Sequence, residues 1–206
     1  MNTSPLQREG IICNTTPVRY FAIVARLDLL AQACGGRLTV PRIVFDPDED
    51  PDVRPASLLS EIGQSERYWA VRSHAGDALE VLSRLRSLRS RHDVDAIDLD
   101  DAELAIFAEV SSRQFAREIG LAAPLGRGEA AVIAIAENRD WTAVIDDWAG
   151  RESLALRAPA VEVLTTRELL RGAAVDGRVS SSEAEDVYAE MRVRGYRGPE
   201  GLWTES

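Results

Sequence analysis

The chain has 206 residues, 45% hydrophobic and 28% charged, the proportions of an ordinary globular protein with one large core. Its formal net charge of −10 excludes a passive nucleic-acid coat, which needs a broad basic surface, but not a nuclease whose metal-dependent centre is itself acidic. No apolar run approaches the roughly 20 residues that span a bilayer, and Met1 to Gly10 lacks the apolar core of an export signal. Every basic residue other than histidine is arginine. Cys13 and Cys34 are the only cysteines. Two cysteines make no disulfide framework, so they read as reduced, buried thiols of a cytoplasmic protein.

In chain order, Gly10 to Asn14 reads as a short buried strand. Thr15, Thr16 and Pro17 then give a helix start, followed by a helical apolar pattern from Val18 to Ala33 that ends at Gly35-Gly36. Arg37 to Val40 is a second strand, closed by Pro41. The prolines and acids of Asp46 to Asp52 mark a loop. From Pro55 to Gly120 the pattern is mostly helical, with one apolar stripe at Leu79, Leu82, Leu85 and Leu88 and another at Leu104, Phe107, Ala108 and Phe115. Arg84, Arg86, Arg89 and Arg91 interleave with the first stripe and read as its solvent face, with phosphate capture beside an acidic centre as the alternative.

Gly126 to Glu129 is a turn into a small-residue helix, Ala130 to Asn138. Trp141 to Ile145 is a strand running into Asp146-Asp147. A helical piece at Arg151 to Arg157, a strand at Val161 to Leu164, and helices at Arg167 to Val175 and Ser181 to Arg194 follow, with Gly177 and Gly195 as stops. Strands alternating with helices predict an α/β fold with a parallel sheet covered on both faces.

In such a sheet, ligands bind beyond the carboxyl ends of the strands. That rule selects Asn14 after the first strand, Asp146 and Asp147 after the strand at 141–145, and Glu129 at the head of the helix before it. Clustered carboxylates repel one another unless a cation neutralises them. Hard oxygen donors suit Mg²⁺ or Mn²⁺, which can activate water and offset charge on a phosphodiester. No Gly-rich phosphate loop follows the first strand, which places an enzyme of small phosphorylated substrates last among the readings.

Taken in order, Ile12-Cys-Asn-Thr-Thr-Pro17, Leu27-Asp-Leu-Leu30, Val40-Pro41, Leu125-Gly-Arg-Gly-Glu-Ala-Ala131 and Val144-Ile-Asp-Asp147 with Arg151 resemble a group of PIN-domain proteins related to the VapC toxin ribonucleases. The resemblance covers both ends of the chain and extends weakly to Arg194-Gly-Tyr196. It does not reach Asp46 to Ala123. It implies a single domain over 1–206, a three-layer sandwich around a central parallel sheet, with a longer helical insertion at about 48–123.

The same resemblance implies metal-assisted hydrolysis of RNA by the toxin of a toxin–antitoxin pair, with RNA, a cognate antitoxin and a second copy of the chain as partners and no membrane. Carried over by position, Asn14, Glu129, Asp146 and Asp147 are the metal ligands, and Asp147, Glu129 and Asp146 the catalytic acids, Asp147 or its neighbour Asp146 standing at the final acidic place. Thr15, Arg127 and Arg151 would meet substrate. Asn14 stands where many members carry an aspartate, so it offers a carbonyl oxygen but no charge. Position 47, after Val40-Pro41, is Pro, with Asp46 and Asp48 on either side as the possible further acid. The alternative reading is a catalytically weakened PIN-like protein that keeps the fold for binding or regulation.

Overall fold

The computed structural model describes residues 10–45, 84, 87 and 94–204. Its first strand, β1 (Ile11–Cys13), leads through Asn14 into α1 (Thr15–Ile23) and α2 (Leu27–Ala33). Then come β2 (Leu38–Pro41), α3 (Arg42–Phe45), β3 (Val94–Ile97), α4 (Asp101–Val110) and α5 (Arg113–Glu118). The C-terminal half holds α6 (Arg127–Arg139), β4 (Thr142–Val144), α7 (Trp148–Arg157), β5 (Val163–Leu164), α8 (Thr166–Val175) and α9 (Ser181–Val193). None of the described helices is long and apolar enough to cross a membrane.

Every strand pair among the described residues is parallel. β1 pairs with β4 in the register Ile11↔Thr142 to Cys13↔Val144, β4 pairs with β5, and β2 pairs with β3 from Leu38↔Val94 to Pro41↔Ile97. β2 lies beside β1, so the two ladders stand edge to edge in the order β3-β2-β1-β4-β5.

Successive side chains of a strand point to opposite faces, and this alternation builds two cores. Ile11, Cys13, Val144 and Leu164 join the apolar faces of α1, α2, α8 and α9. Ile12, Ala143 and Ile145 join α6 together with residues of α4, α5 and α7. The result is the expected α/β sandwich, helices over both faces of a parallel sheet. Ala130 to Ala136 of α6 are all buried, because this helix packs on β1, β2 and β4 on one side and on α4 and α7 on others. Small side chains allow that approach.

Two local features differ from the sequence pattern. The helix predicted as one piece from Val18 to Ala33 is two, broken where Ala25 takes φ 58°. Arg84 Nη1 donates to the carbonyls of Ala22 and Ile23 at 2.9 and 3.2 Å, satisfying the open end of α1. The second difference is β3. Val94–Ile97 falls in a stretch whose pattern reads as helical, yet it pairs along its whole length with β2. Only four residues long and half-buried, it carries too little alternation to announce itself. The leucine stripe at 79–88, Arg86, Arg89, Arg91 and most of the predicted insertion lie outside the described residues.

Candidate functional site

The carboxyl ends of β1 and β4 meet the first turn of α6, and this junction gathers the polar residues. Asn14 is 2% exposed and caps α1: its Oδ1 accepts from the Thr15 backbone N–H at 2.6 Å. The side chain also hydrogen-bonds the Glu129 carboxylate. Glu129 in turn sits at the third position of α6 and bonds the backbone of Gly126, the residue that caps the helix. A carboxylate at that place is favoured by the unpaired N–H groups and the dipole of the helix end.

The glycines flanking Glu129 explain how the junction closes. A Cβ on Gly126 would land on Glu129 Oε2. A Cβ on Gly128 would come within 3.2 Å of Asn14 Oδ1, Thr15 Oγ1 and Val44 Cγ2. From the other side, α7 brings Gly150 against the Glu129 stem, where a Cβ would lie 3.4 Å from Cγ.

Asp147 caps α7 through one oxygen, Oδ1, which accepts from Ala149 N at 2.8 Å and Gly150 N at 3.3 Å. It is exposed, and its charge reaches Glu129. Burial and then the Asp147 charge push the Glu129 carboxyl above the usual range, against the opposing bonds from Asn14 and Gly126. Asn14, Glu129 and Asp147 are thus brought together.

Asp146 takes another direction. Its Oδ1 accepts from Thr166 N at 2.9 Å and from Tyr196 Oη at 2.6 Å, and its Oδ2 accepts from Thr166 Oγ1 at 2.6 Å. Burial and the Asp146 charge push the Tyr196 phenol far up, so it remains a hydrogen-bond donor at any working pH. The acid is therefore tied to α8 and to the segment after α9.

Of the residues expected to meet substrate, Thr15 and Arg127 are partly exposed at the heads of α1 and α6. Arg151 lies one turn into α7, its backbone N–H on the Asp147 carbonyl at 3.1 Å. Its Nε is buried with no hydrogen-bond partner among the described residues. Trp148, next to Asp147, is 62% exposed, which rules out a core role in the isolated chain.

Among the described residues no three His, Cys, Asp or Glu side chains are grouped so as to hold a metal ion. Asp46 and Asp48 lie outside the described residues. The donors the junction does offer are two carboxylates, Glu129 and Asp147, and the Asn14 amide. The sequence alone did not bring out Thr166, Tyr196 and the close approach at Gly126 and Gly128. The strand alternation was the available signal for the first pair, since it sends residues 144 and 146 to one face and 145 and 147 to the other.

The sequence matches no protein-family profile and no curated protein. Among solved structures, one similar to this chain is VapBC2 from Rickettsia felis bound to a DNA fragment from their promoter, at 14% identity and a TM-score of 0.43. That similarity covers 75% of this chain and 97% of the other.

Proposed function

We propose that the chain is a metal-dependent RNA endonuclease, the toxin of a toxin–antitoxin pair acting in the cytoplasm. The observation that carries this reading is the meeting of Glu129, Asp147 and Asn14 at the carboxyl edge of the parallel sheet. Two mutually repelling carboxylates, joined by the Asn14 oxygen once its amide turns from the Glu129 carboxylate, would supply an all-oxygen donor set. That suits Mg²⁺ or Mn²⁺, which commonly use one or two carboxylates and complete their shell with water and substrate phosphate. A divalent ion held by Glu129, Asp147 and Asn14 would polarise water and offset charge on the phosphodiester.

The chain's own groups divide the remaining work. Glu129 would hold the ion as a carboxylate ligand, its stem packed against Gly150. Arg151, one turn into α7 from Asp147, or Arg127 at the helix head would steady the scissile phosphate by charge-assisted bonds. Thr15 offers a hydroxyl beside Asn14. Asp146 braces the end of β4 through Thr166 and Tyr196. A cognate antitoxin would block this edge, and a homodimer would present two such edges.

One observation favours the weakened binding protein: the Asn14 amide already lends the Glu129 carboxylate part of the stabilisation a cation would supply. Purified protein with structured RNA and Mn²⁺, wild type beside Asp147→Asn, separates the two. Cleavage by wild type that Asp147→Asn loses supports the nuclease. No cleavage with any divalent ion across several RNAs, without antitoxin, supports the binding protein.

A further inference from the structure

The two cysteines lie far from the acids in role but not in place. Cys13 ends β1 and is fully buried, while Cys34 follows α2 and is partly exposed. Their sulfurs are 3.7 Å apart, in contact across the core that α1, α2, α8 and α9 form with the sheet. We propose that Cys13 and Cys34 are a reversible oxidation site, a dithiol that a peroxide closes to an intramolecular disulfide.

Geometry assigns the two sulfurs different parts. The Cys13 backbone is held in the ladder opposite Val144, and the following Asn14 N–H donates to the Val144 carbonyl at 3.0 Å. Closure to the roughly 2.05 Å of an S–S bond therefore moves Cys34. That residue is a helix cap followed by Gly35 and Gly36, at φ 86° and 102°, a connection without side chains to repack. Cys34 is also the partly exposed residue of the pair.

The reaction balances in two steps. Cys34 sulfur, as thiolate, attacks one oxygen of hydrogen peroxide. The O–O bond breaks, and the departing hydroxide takes a proton to leave as water, giving Cys34 sulfenic acid. Cys13 sulfur then attacks Cys34 sulfur, the S–O bond breaks, and the Cys13 proton leaves with the hydroxide as a second water. Two thiols are oxidised by two electrons, and one peroxide is reduced to two waters. A thiol reductant reverses the closure by exchange.

The test uses the native full-length protein. After hydrogen peroxide and then N-ethylmaleimide, intact mass should show the loss of two hydrogens, no alkylation and no dimer. Peptide mapping should show Cys13 linked to Cys34, and dithiothreitol should restore two alkylatable thiols. The oxidised form should melt higher, because the link closes a loop in the unfolded chain. In Cys13→Ser, dimedone should trap Cys34; if that variant does not fold, wild-type peptide mapping decides alone. Two thiols still alkylatable after peroxide, over-oxidised Cys34 beside intact Cys13, or links only between chains would each overturn the proposal. A failed nuclease assay would leave it standing.

Discussion

Asp146 and Asp147, adjacent in sequence, leave the end of β4 toward opposite faces: Asp146 accepts from Thr166 and Tyr196, while Asp147 caps α7 and acts on Glu129. Their amide variants should therefore fail in different ways. Asp147→Asn should lose divalent-ion binding and any RNA cleavage with little change in melting temperature. Asp146→Asn should lose stability, about 1–3 kcal/mol, because its NH₂ would replace either the acceptor of the Thr166 hydroxyl or the shared acceptor of the Thr166 N–H and the Tyr196 hydroxyl. Thermal melts beside Mn²⁺ titrations check both. The same loss of stability in both variants would contradict the division.

Glu129 should make stability fall with rising pH. Its carboxyl binds a proton more tightly in the folded chain than in the unfolded one. Between the unfolded and folded values the native state holds more protons, so unfolding free energy declines as pH rises through that window. Above it the burial cost is fully felt. Glu129→Gln should then melt higher than wild type at neutral pH, the gap closing in acid, with each kcal/mol worth about 2–4 °C at this size. Melting curves across the acid range measure it, and Mn²⁺ should raise the wild-type midpoint more than the variant's.

Adding the missing charge should strengthen metal binding. Asn14→Asp replaces an amide by a carboxylate beside Glu129, so the ion-free protein should melt lower and bind Mn²⁺ more tightly, on the order of tenfold or about 1.4 kcal/mol. Titration calorimetry decides it; equal affinities would remove residue 14 from the ligand set.

Crowding the junction should damage the site before the fold. A Cβ on Gly128 would press on Asn14 Oδ1, Thr15 Oγ1 and Val44 at 3.2 Å. Gly128→Ala should lower Mn²⁺ affinity several-fold while stability changes by about 1 kcal/mol or less, since alanine is also the better helix former. Calorimetry beside thermal melts separates the two effects.

Away from the site, Glu103 is the most exacting charge. Its side chain is 0% exposed and takes a two-pronged bond from Arg139, Nε to Oε1 at 2.6 Å and Nη2 to Oε2 at 2.9 Å. Burial pushes this carboxyl up, and the bonds from Arg139, Asp100 and Asn138 outweigh that and hold it below the usual range. Its contribution is present above the unfolded value and lost as pH falls through the folded one. Arg139→Leu should cost about 3 kcal/mol by leaving a buried carboxylate unpaired, while Glu103→Gln with Arg139→Leu should recover part of that.

Much of the fold was legible because its signals are local. The carboxylate pair after a buried strand, the Gly-rich entry to α6 and the alternation of apolar strands with apolar-faced helices all survive in one dimension. β3 was not legible, because a half-buried four-residue strand depends on β2 for its identity. Nor was the break at Ala25, where neither glycine nor proline marks the turn and a side chain from residue 84 completes the helix end. In the site, three residues could be gathered from the sheet-edge rule. The roles of Asp146 and Asp147 could not be separated until Tyr196, fifty residues on, was seen to claim one of them.

The wholly parallel ladders also dictate the order in which the chain can assemble. Ile11 in β1 waits for Thr142, and Leu38 in β2 waits for Val94, so among the described residues no strand finds its partner through a hairpin. Pairings this distant close their loops slowly. During synthesis one edge of β1 has no native neighbour until β4 has emerged. A nascent chain that pauses before Thr142 would hold an apolar strand with an open edge, and refolding from denaturant should be slow and sensitive to protein concentration.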